Sequence, residues 1–114
     1  MRNHWHTEDP LSCPALTTLG MLNGKWKPMI LHMLSEGTMR FGDLKRNISP
    51  VSHKVLTQQL RELEADGLIR RTIHAEMPPK VEYDLTEKGS SLTTVLDILY
   101  AWGMEHGAAQ ATPG

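Results

Sequence analysis

The sequence contains one cysteine, no long hydrophobic run and no segment that resembles a signal peptide. Among its 114 residues only Cys13 is a cysteine, which excludes an intramolecular disulfide framework and, without partner ligands nearby, a cysteine-rich zinc site. No apolar run approaches the ~18–20 residues that a membrane-spanning helix requires, and the N-terminus is polar. We therefore expect a cytoplasmic protein without a membrane segment.

Signatures of catalysis are also missing from the sequence. There is no His-x-x-x-His pair on an acidic helix, no glycine-rich phosphate loop and no serine in a nucleophile elbow. A metal site built from His4, His6 and Cys13 is conceivable, but such histidines near a terminus are commonly just solvated. We therefore predict a protein that is not an enzyme and that has no metal and no cofactor.

Length and composition are those of one globular domain. The chain is 39% hydrophobic and 22% charged, and domains typically contain ~100–150 residues. A chain this short buries only a marginal core, so a hydrophobic helix near a terminus can be needed for dimerisation.

Charge is distributed unevenly along the chain. The net charge of −1 argues against a strongly basic nucleic-acid binder, but residues 40–80 hold eight basic and five acidic side chains. Residues 1–39 are balanced, and residues 81–114 hold one basic and five acidic side chains. The pattern suggests a basic central face on an acidic body, although ordinary scatter of solvated charges would give the same counts.

Hydrophobic periodicity predicts two helices in the first third of the chain. The first begins at Cys13-Pro14 and ends at Asn23-Gly24, and the second ends at Gly37. In the first helix Leu16, Leu19 and Leu22 fall on one face. The second helix is apolar enough to be the central core helix, with Trp26, Met29, Ile30, Met33 and Leu34 at helical spacing.

A third and a fourth helix follow, joined by a short turn. The third covers Phe41 to Ile48 and ends because Ser49 precedes Pro50. Ser52 is a good N-cap for the fourth, and Gly67 a good left-handed C-cap. The apolar positions are Phe41, Leu44 and Ile48 in the third helix, and Leu56, Leu60 and Leu63 in the fourth.

After Gly67 the apolar period changes from 3.6 to 2. The segments LIRRTIHAE and VEYDLT read as two strands of a hairpin, whose loop is held extended by Pro78 and Pro79. Thr86 then caps a last helix that continues to about Gly107. We expect residues 1–12 to form a flexible arm and residues 108–114 a flexible tail.

This order predicts an α+β, mostly helical fold. Two short helices joined by a tight turn, with a two-stranded wing directly after the second, form a winged helix-turn-helix domain, here across residues 13–107.

The fourth helix presents a polar face that suits a DNA major groove. Opposite its leucines lie Lys54, Gln58 and Arg61, with His53 and Thr57 on the flanks. Arginine can pair with guanine and glutamine with adenine, while lysine, serine and threonine more often hold phosphates. We expect the N-terminal half to enter the groove and Glu62, Glu64 and Asp66 to point away, although any solvated amphipathic helix shows polar residues opposite its leucines.

Further basic residues extend this predicted surface. Lys80 is expected at the wing tip, and three residues around the third helix to clamp the DNA backbone. Of Arg70 and Arg71 only one can face DNA, because neighbours in a strand point to opposite sides. The predicted DNA-binding residues are Ser52, His53, Lys54, Thr57, Gln58, Arg61, Lys80, Arg40, Lys45 and Arg46.

Taken together, these segments resemble the HxlR family of bacterial transcriptional regulators, which are relatives of the MarR group. The resemblance covers roughly residues 13–107, and the combination of GKWK, LTQQLRELEADGL and PPKVEY is highly specific. The matching words are CP (13–14), NGKWKPMIL (23–31), RFGDLKRNI (40–48), VLTQQLRELEADGLIRR (55–71), PPKVEYDLTEKG (78–89) and LYAWG (99–103).

The resemblance implies a homodimer, joined by its first and last helices, that binds a near-palindromic operator on double-stranded DNA and represses. The last helix independently carries more apolar surface than one small domain readily covers. Dimer half-sites would lie ~34–36 Å apart. The predicted interface residues are Leu16, Leu19, Leu92, Val95, Leu96, Leu99, Tyr100 and Trp102.

Several members of this family sense electrophiles or oxidants through a cysteine near the start of the first helix, where Cys13 stands here. The positive end of a helix dipole favours the thiolate form at such a position. The alternative is a packed, inert thiol. For the whole chain, the alternative is a winged helix that binds proteins rather than specific DNA, against which the intact polar face argues.

Overall fold

The predicted order of helices and hairpin is found in residues 13–107, the part of the chain that the computed structural model describes. The expected arm at 1–12 and tail at 108–114 lie outside these residues. The elements are α1 (Pro14–Met21), α2 (Lys27–Leu34), β1 (Met39–Arg40), α3 (Phe41–Asn47), α4 (His53–Ala65), β2 (Ile69–His74), β3 (Lys80–Leu85) and α5 (Glu87–Glu105). The α+β winged helix-turn-helix fold is therefore confirmed.

The helix-turn-helix is α3, the turn after it and α4. The Ser52 hydroxyl accepts a hydrogen bond from the Val55 backbone N–H at 3.1 Å, as the predicted N-cap requires. Gly67 has a φ of +76°, and the backbone N–H groups of Gly67 and Leu68 donate to the carbonyls of Glu64 and Leu63. This Schellman motif ends α4 and turns the chain directly into β2.

The predicted leucine stripe of α4 is the centre of the core. Leu56, Leu60 and Leu63 are all buried, and they pack with apolar residues of α2, α3, β2 and α5. Burying a leucine side chain contributes about 1.5–3 kcal/mol, so this stripe fixes which side of α4 faces solvent.

The apolar face predicted for α2 is partly wrong. Ile30 and Leu34 are buried as expected, but Met29 is 45% exposed, whereas Leu31 is completely buried. Because α2 has only eight residues and apolar side chains at adjacent positions, helical spacing alone did not distinguish its two sides. Trp26 and Met33 pack against the core while remaining partly exposed.

The sheet has a third strand that the sequence did not predict. The order is β1-β3-β2, all antiparallel, and Met39 and Arg40 of β1 pair with Tyr83 and Glu82 of β3. Two residues are too short for a period of 2 to be visible. The strand connects α2 to α3 and attaches the start of the helix-turn-helix to the wing.

The loop of the wing is also different from the prediction. The chain bends at residues 76–78 rather than running extended. Lys80 is therefore not at the tip but is the first residue of β3, opposite His74. The tip itself presents Glu76 and Met77, which are both exposed.

The long helix α5 packs on the core only through its first half. Thr86 caps it as predicted, with its hydroxyl accepting from the Gly89 N–H at 3.1 Å. Gly89 lies against the Leu68 backbone, and Leu92 is buried in the core. None of the helices in residues 13–107 combines the length and hydrophobicity needed to cross a bilayer.

Candidate nucleic-acid interface

The outer face of α4 is exposed where the sequence places the DNA-binding residues. His53, Lys54, Gln58 and Arg61 are exposed, and Thr57 is half-buried. The Thr57 hydroxyl donates to the His53 carbonyl at 2.8 Å, so while that bond lasts it acts only as an acceptor. In that state the Thr57 hydroxyl repels phosphate oxygens but can accept a hydrogen bond from an amino group of a base. This differs from the phosphate contact that we expected of a threonine.

The start of α4 is held by contacts to α3 and to its own cap. The His53 ring packs against the Phe41 ring in a tilted arrangement, with centroids 4.7 Å apart and an angle of 48° between the planes. The Ser52 hydroxyl accepts from Val55 and keeps its own hydrogen to donate. Ser52 is therefore equipped for a phosphate contact while it caps the helix.

One flank of α4 contacts α2. Lys27 of α2 is buried, and its Nζ lies 2.6 Å from Glu62 Oε1. Glu62 Oε2 accepts from the Gln58 amide nitrogen at 2.7 Å. Three effects lower the pKa of Glu62 from its ordinary value of 4.5. The largest is the hydrogen bond from Gln58, followed by the hydrogen bond from Lys27 and then by the positive charge of Lys27.

The other flank of α4 faces the wing across a groove of about 270 Å³. Glu64 lies in this groove beside Arg61, one helical turn away. That Glu64 points away from DNA stays a prediction. The lining residues are Thr57, Leu60, Arg61 and Glu64 of α4, Arg71 of β2 and Tyr83 of β3.

The groove also resolves the choice between the two adjacent arginines of β2. Arg70 pairs with Asp84, with Nε 3.2 Å from Oδ1 and Nη2 2.6 Å from Oδ2, which raises the pKa of Arg70. Arg71 lies on the opposite side of the strand and lines the groove with Arg61. Arg71 was missing from the predicted set because strand alternation separates the two sides without saying which one faces α4.

The remaining basic residues are less uniform than predicted. Arg40 is exposed at the end of β1, and Lys45 is half-buried in α3. Arg46 forms an ion pair with Asp43, one turn earlier in α3. On the wing, Glu82 contacts Lys80 at 3.8 Å and His74 at 2.7 Å, so Lys80 is paired as well as displaced from the tip.

The predicted dimer residues divide into two groups. Leu92 is part of the core and Leu96 packs against it, so the expectation that both lie on a free surface is wrong. They are drawn inward because α5 needs a core-facing side at every turn along its first half. The other predicted residues are exposed: Leu16, Leu19, Val95, Leu99, Tyr100 and Trp102.

An open apolar groove of about 940 Å³ runs between α1, α2 and α5. Leu19, Met29, Leu99 and Tyr100 are among its lining residues. Ile98 and Met104 of α5 are exposed too, although they were not in the predicted set. The exposed apolar surface of α1 and α5 thus extends beyond the predicted interface residues.

Cys13 immediately precedes α1 and is buried, with 8% of its surface exposed. Its carbonyl accepts from the Thr17 backbone N–H at 3.1 Å, which begins the helix. Among residues 13–107 there is no group of three or more histidine, cysteine or acidic side chains placed to hold a metal ion. The site considered from His4, His6 and Cys13 falls mostly outside these residues.

Comparison with known proteins adds to this geometry. A family model described as HxlR-like helix-turn-helix matches residues 21–111. The HTH-type transcriptional regulator YtcD of Bacillus subtilis is 53% identical to this chain over 89 residues, which cover 78% of this chain and 71% of YtcD.

Two solved structures of regulators have folds similar to that of this chain. The redox regulator HypR in its oxidized form is 40% identical, with a TM-score of 0.76 over 82% of this chain and 96% of the HypR chain. The reduced form of the transcriptional regulator YodB from B. subtilis is 36% identical, with a TM-score of 0.73 over 80% of this chain and 90% of the YodB chain.

Proposed function

This chain belongs to the HxlR-like helix-turn-helix family, whose members are transcription regulators and not enzymes. On that premise we propose that it binds a near-palindromic DNA operator as a homodimer and represses transcription. The observation that carries the proposal is the outer face of α4. Its leucines are fixed in the core, which leaves Lys54, Gln58 and Arg61 exposed on the opposite side.

The side chains of this face divide by chemistry. Gln58 and Arg61 have the donors and acceptors for adenine and guanine edges, and Lys54 is a point charge suited to phosphate. Ser52 adds a free hydroxyl hydrogen at the start of the helix. Arg71 approaches from the wing, so we add it to the proposed contacts and leave out Arg70, which is occupied by Asp84.

Two of the proposed contacts need local rearrangement. Arg46 and Lys80 each lie next to a carboxylate, Asp43 and Glu82, which compete with phosphate for the cation. Both pairs are at least partly exposed, and exposed pairs are worth only ~0–1 kcal/mol, so a phosphate can replace the carboxylate at little cost. Arg40, at the end of β1 and directly before α3, is exposed.

The exposed apolar residues of α1 and α5 support the homodimer. Leu19, Leu99, Tyr100 and Trp102 are between half and three-quarters exposed, which is unusual for large apolar side chains gathered on one surface. A second copy related by a two-fold axis would cover them and would place the two α4 helices in successive major grooves, ~34–36 Å apart.

Redox control through Cys13 is the finer part of the proposal. HypR, to which the chain is similar, is named a redox regulator, and Cys13 is the only thiol of this chain. Oxidation to a disulfide therefore needs a thiol of another molecule, such as the second copy in the dimer. The competing role is that of a packed residue at the start of α1, which its burial favours.

The proposal is tested first by binding to DNA from upstream of the protein's own gene. A regulator that holds phosphates shows log affinity falling linearly with log salt concentration, with a slope of about −0.9 for each phosphate neutralised. A winged helix that binds only proteins would show no sequence preference and no retarded complex at physiological salt.

A further inference from the structure

Lys27 is the only charged residue that is buried within residues 13–107. Its side chain is 6% exposed, compared with 41% for Glu62, whose carboxylate lies 2.6 Å away. A buried ammonium without a partner strongly destabilises the folded protein. The carboxylate of Glu62 is therefore held close to the Lys27 ammonium. Glu62 therefore has a fixed position although it lies at the surface of α4.

The second carboxylate oxygen of Glu62 faces Gln58, one turn earlier in α4. It accepts a hydrogen bond from the Gln58 amide nitrogen at 2.7 Å. An ionised carboxylate can only accept, so it selects the NH2 side of the amide and excludes the carbonyl side. A glutamine without such a neighbour can present either side to DNA.

We infer that Glu62, anchored by the buried Lys27, is a positioning residue that fixes the amide orientation of Gln58 and thereby sets which base Gln58 reads. This inference rests on the proposed DNA-binding function. With one N–H given to Glu62, the amide keeps its carbonyl oxygen and its other N–H for DNA. That pair of groups matches the N6 donor and N7 acceptor of adenine.

A purely structural role for the Lys27 and Glu62 pair makes a different prediction. If the pair only ties α2 to α4, its loss tilts or loosens the whole recognition helix. Affinity then falls at every base pair of the operator alike. A positioning role changes the preference at one base pair of each half-site and leaves the others as they were.

The test is selection of DNA from a library with randomised half-sites, followed by sequencing, for the wild type and three variants. Gln58→Ala identifies the base pair that Gln58 reads. Glu62→Gln keeps the size of the side chain but can donate as well as accept, so both orientations of Gln58 become possible. Glu36→Gln makes the same charge change at an exposed position away from α4 and is the matched control.

We expect Glu62→Gln to reduce the preference for adenine about three- to tenfold at the base pair identified with Gln58→Ala, and at no other. Glu36→Gln should select the wild-type motif. Lys27→Met, which fills the same space without the charge, should alter the same base pair. It supplies the answer if circular dichroism shows that Glu62→Gln is unfolded.

Four results would overturn the inference, and they are distinguishable. If Glu62→Gln selects an unchanged motif, Glu62 does not position Gln58. If binding weakens uniformly at all base pairs, the Lys27 and Glu62 ion pair only connects α2 to α4. If Gln58→Ala changes no base pair, Gln58 reads none, while the proposed function stands. If the wild type itself selects no motif, the proposed function fails and the inference with it.

Discussion

Arg70 and Asp84 face each other across β2 and β3, with the guanidinium Nη2 2.6 Å from the carboxylate Oδ2. The next residue, Arg71, points to the other side of the strand and into the groove beside α4. Two identical side chains next to each other therefore have different environments. Arg70 links the two strands of the wing, and Arg71 lines the groove.

The first prediction compares these two arginines. Arg71→Ala should weaken operator binding and reduce the salt slope by about one, because one phosphate contact is lost. Arg70→Ala is the matched control and should leave the slope unchanged. Fluorescence anisotropy titrations at several salt concentrations measure both. An unchanged slope for Arg71→Ala, or an equal reduction for Arg70→Ala, would contradict the assignment.

The second prediction concerns stability at the junction of α5 and β2. A Cβ added at Gly89 would lie 2.0 Å from the Leu68 carbonyl oxygen, so backbone must move. Gly89→Ala should lower the free energy of unfolding by about 1–3 kcal/mol, the usual cost of overpacking.

The control for Gly89→Ala is Gly20→Ala in α1, where a new Cβ meets nothing within 4 Å. That change should be neutral or stabilising by up to about 1 kcal/mol, because alanine favours helix over glycine. Urea unfolding of both variants measures the difference. Equal stabilities would show that α5 does not pack as described.

The third prediction is a pH dependence that comes from Glu62. Its pKa is lowered by the hydrogen bond from Gln58 and by Lys27, so its ionised form is favoured in the folded state. The stability it contributes is fully present above 4.5, its ordinary value, and is lost as the pH falls through the lowered pKa.

The comparison variant is Glu62→Gln, which has no proton to gain. The wild type should melt at a higher temperature than this variant near neutral pH, and the difference should shrink steadily as the pH falls below 4.5. Thermal unfolding followed by circular dichroism across this range measures it. A difference that stays constant with pH would show that the carboxylate charge does not stabilise the fold.

The fourth prediction tests Cys13 as a sensor. Diamide oxidises two thiols to a disulfide and takes up their two hydrogens, and each chain supplies one thiol. We expect a disulfide-linked dimer on a non-reducing gel and weaker operator binding, both reversed by dithiothreitol. Cys13→Ser should show neither effect. Unchanged gel mobility and unchanged affinity in the wild type would assign Cys13 a packing role only.

Much of the fold could be predicted because the sequence of α4 defines both ends of the helix and its buried face. Its leucines recur at helical spacing, Ser52 begins it and Gly67 ends it, and all three signals agree. The hairpin was visible because the period of apolar residues changes at that glycine. By contrast, β1 is two residues long and is held by pairing with β3, which no local pattern records.

The candidate site was predictable in outline but not in its pairings. Helical spacing put Lys54, Gln58 and Arg61 on the exposed face correctly. It could not show that Lys27 of α2 would be buried against Glu62, because the partner comes from a different helix 35 positions away in sequence. The sequence also could not show which of Arg70 and Arg71 faces α4, because that depends on how the sheet packs against α4.

The fifth prediction tests the central claim most directly, by sequencing the DNA that co-purifies with the protein from cells. The wild type should enrich discrete sites with inverted half-sites about one helical turn, 10–10.5 base pairs, apart. The double variant Gln58→Ala and Arg61→Ala, expressed at the same level, should lose this enrichment and retain only weak, sequence-independent binding. The same motif enriched equally by both proteins, or no motif in the wild type, would contradict the account.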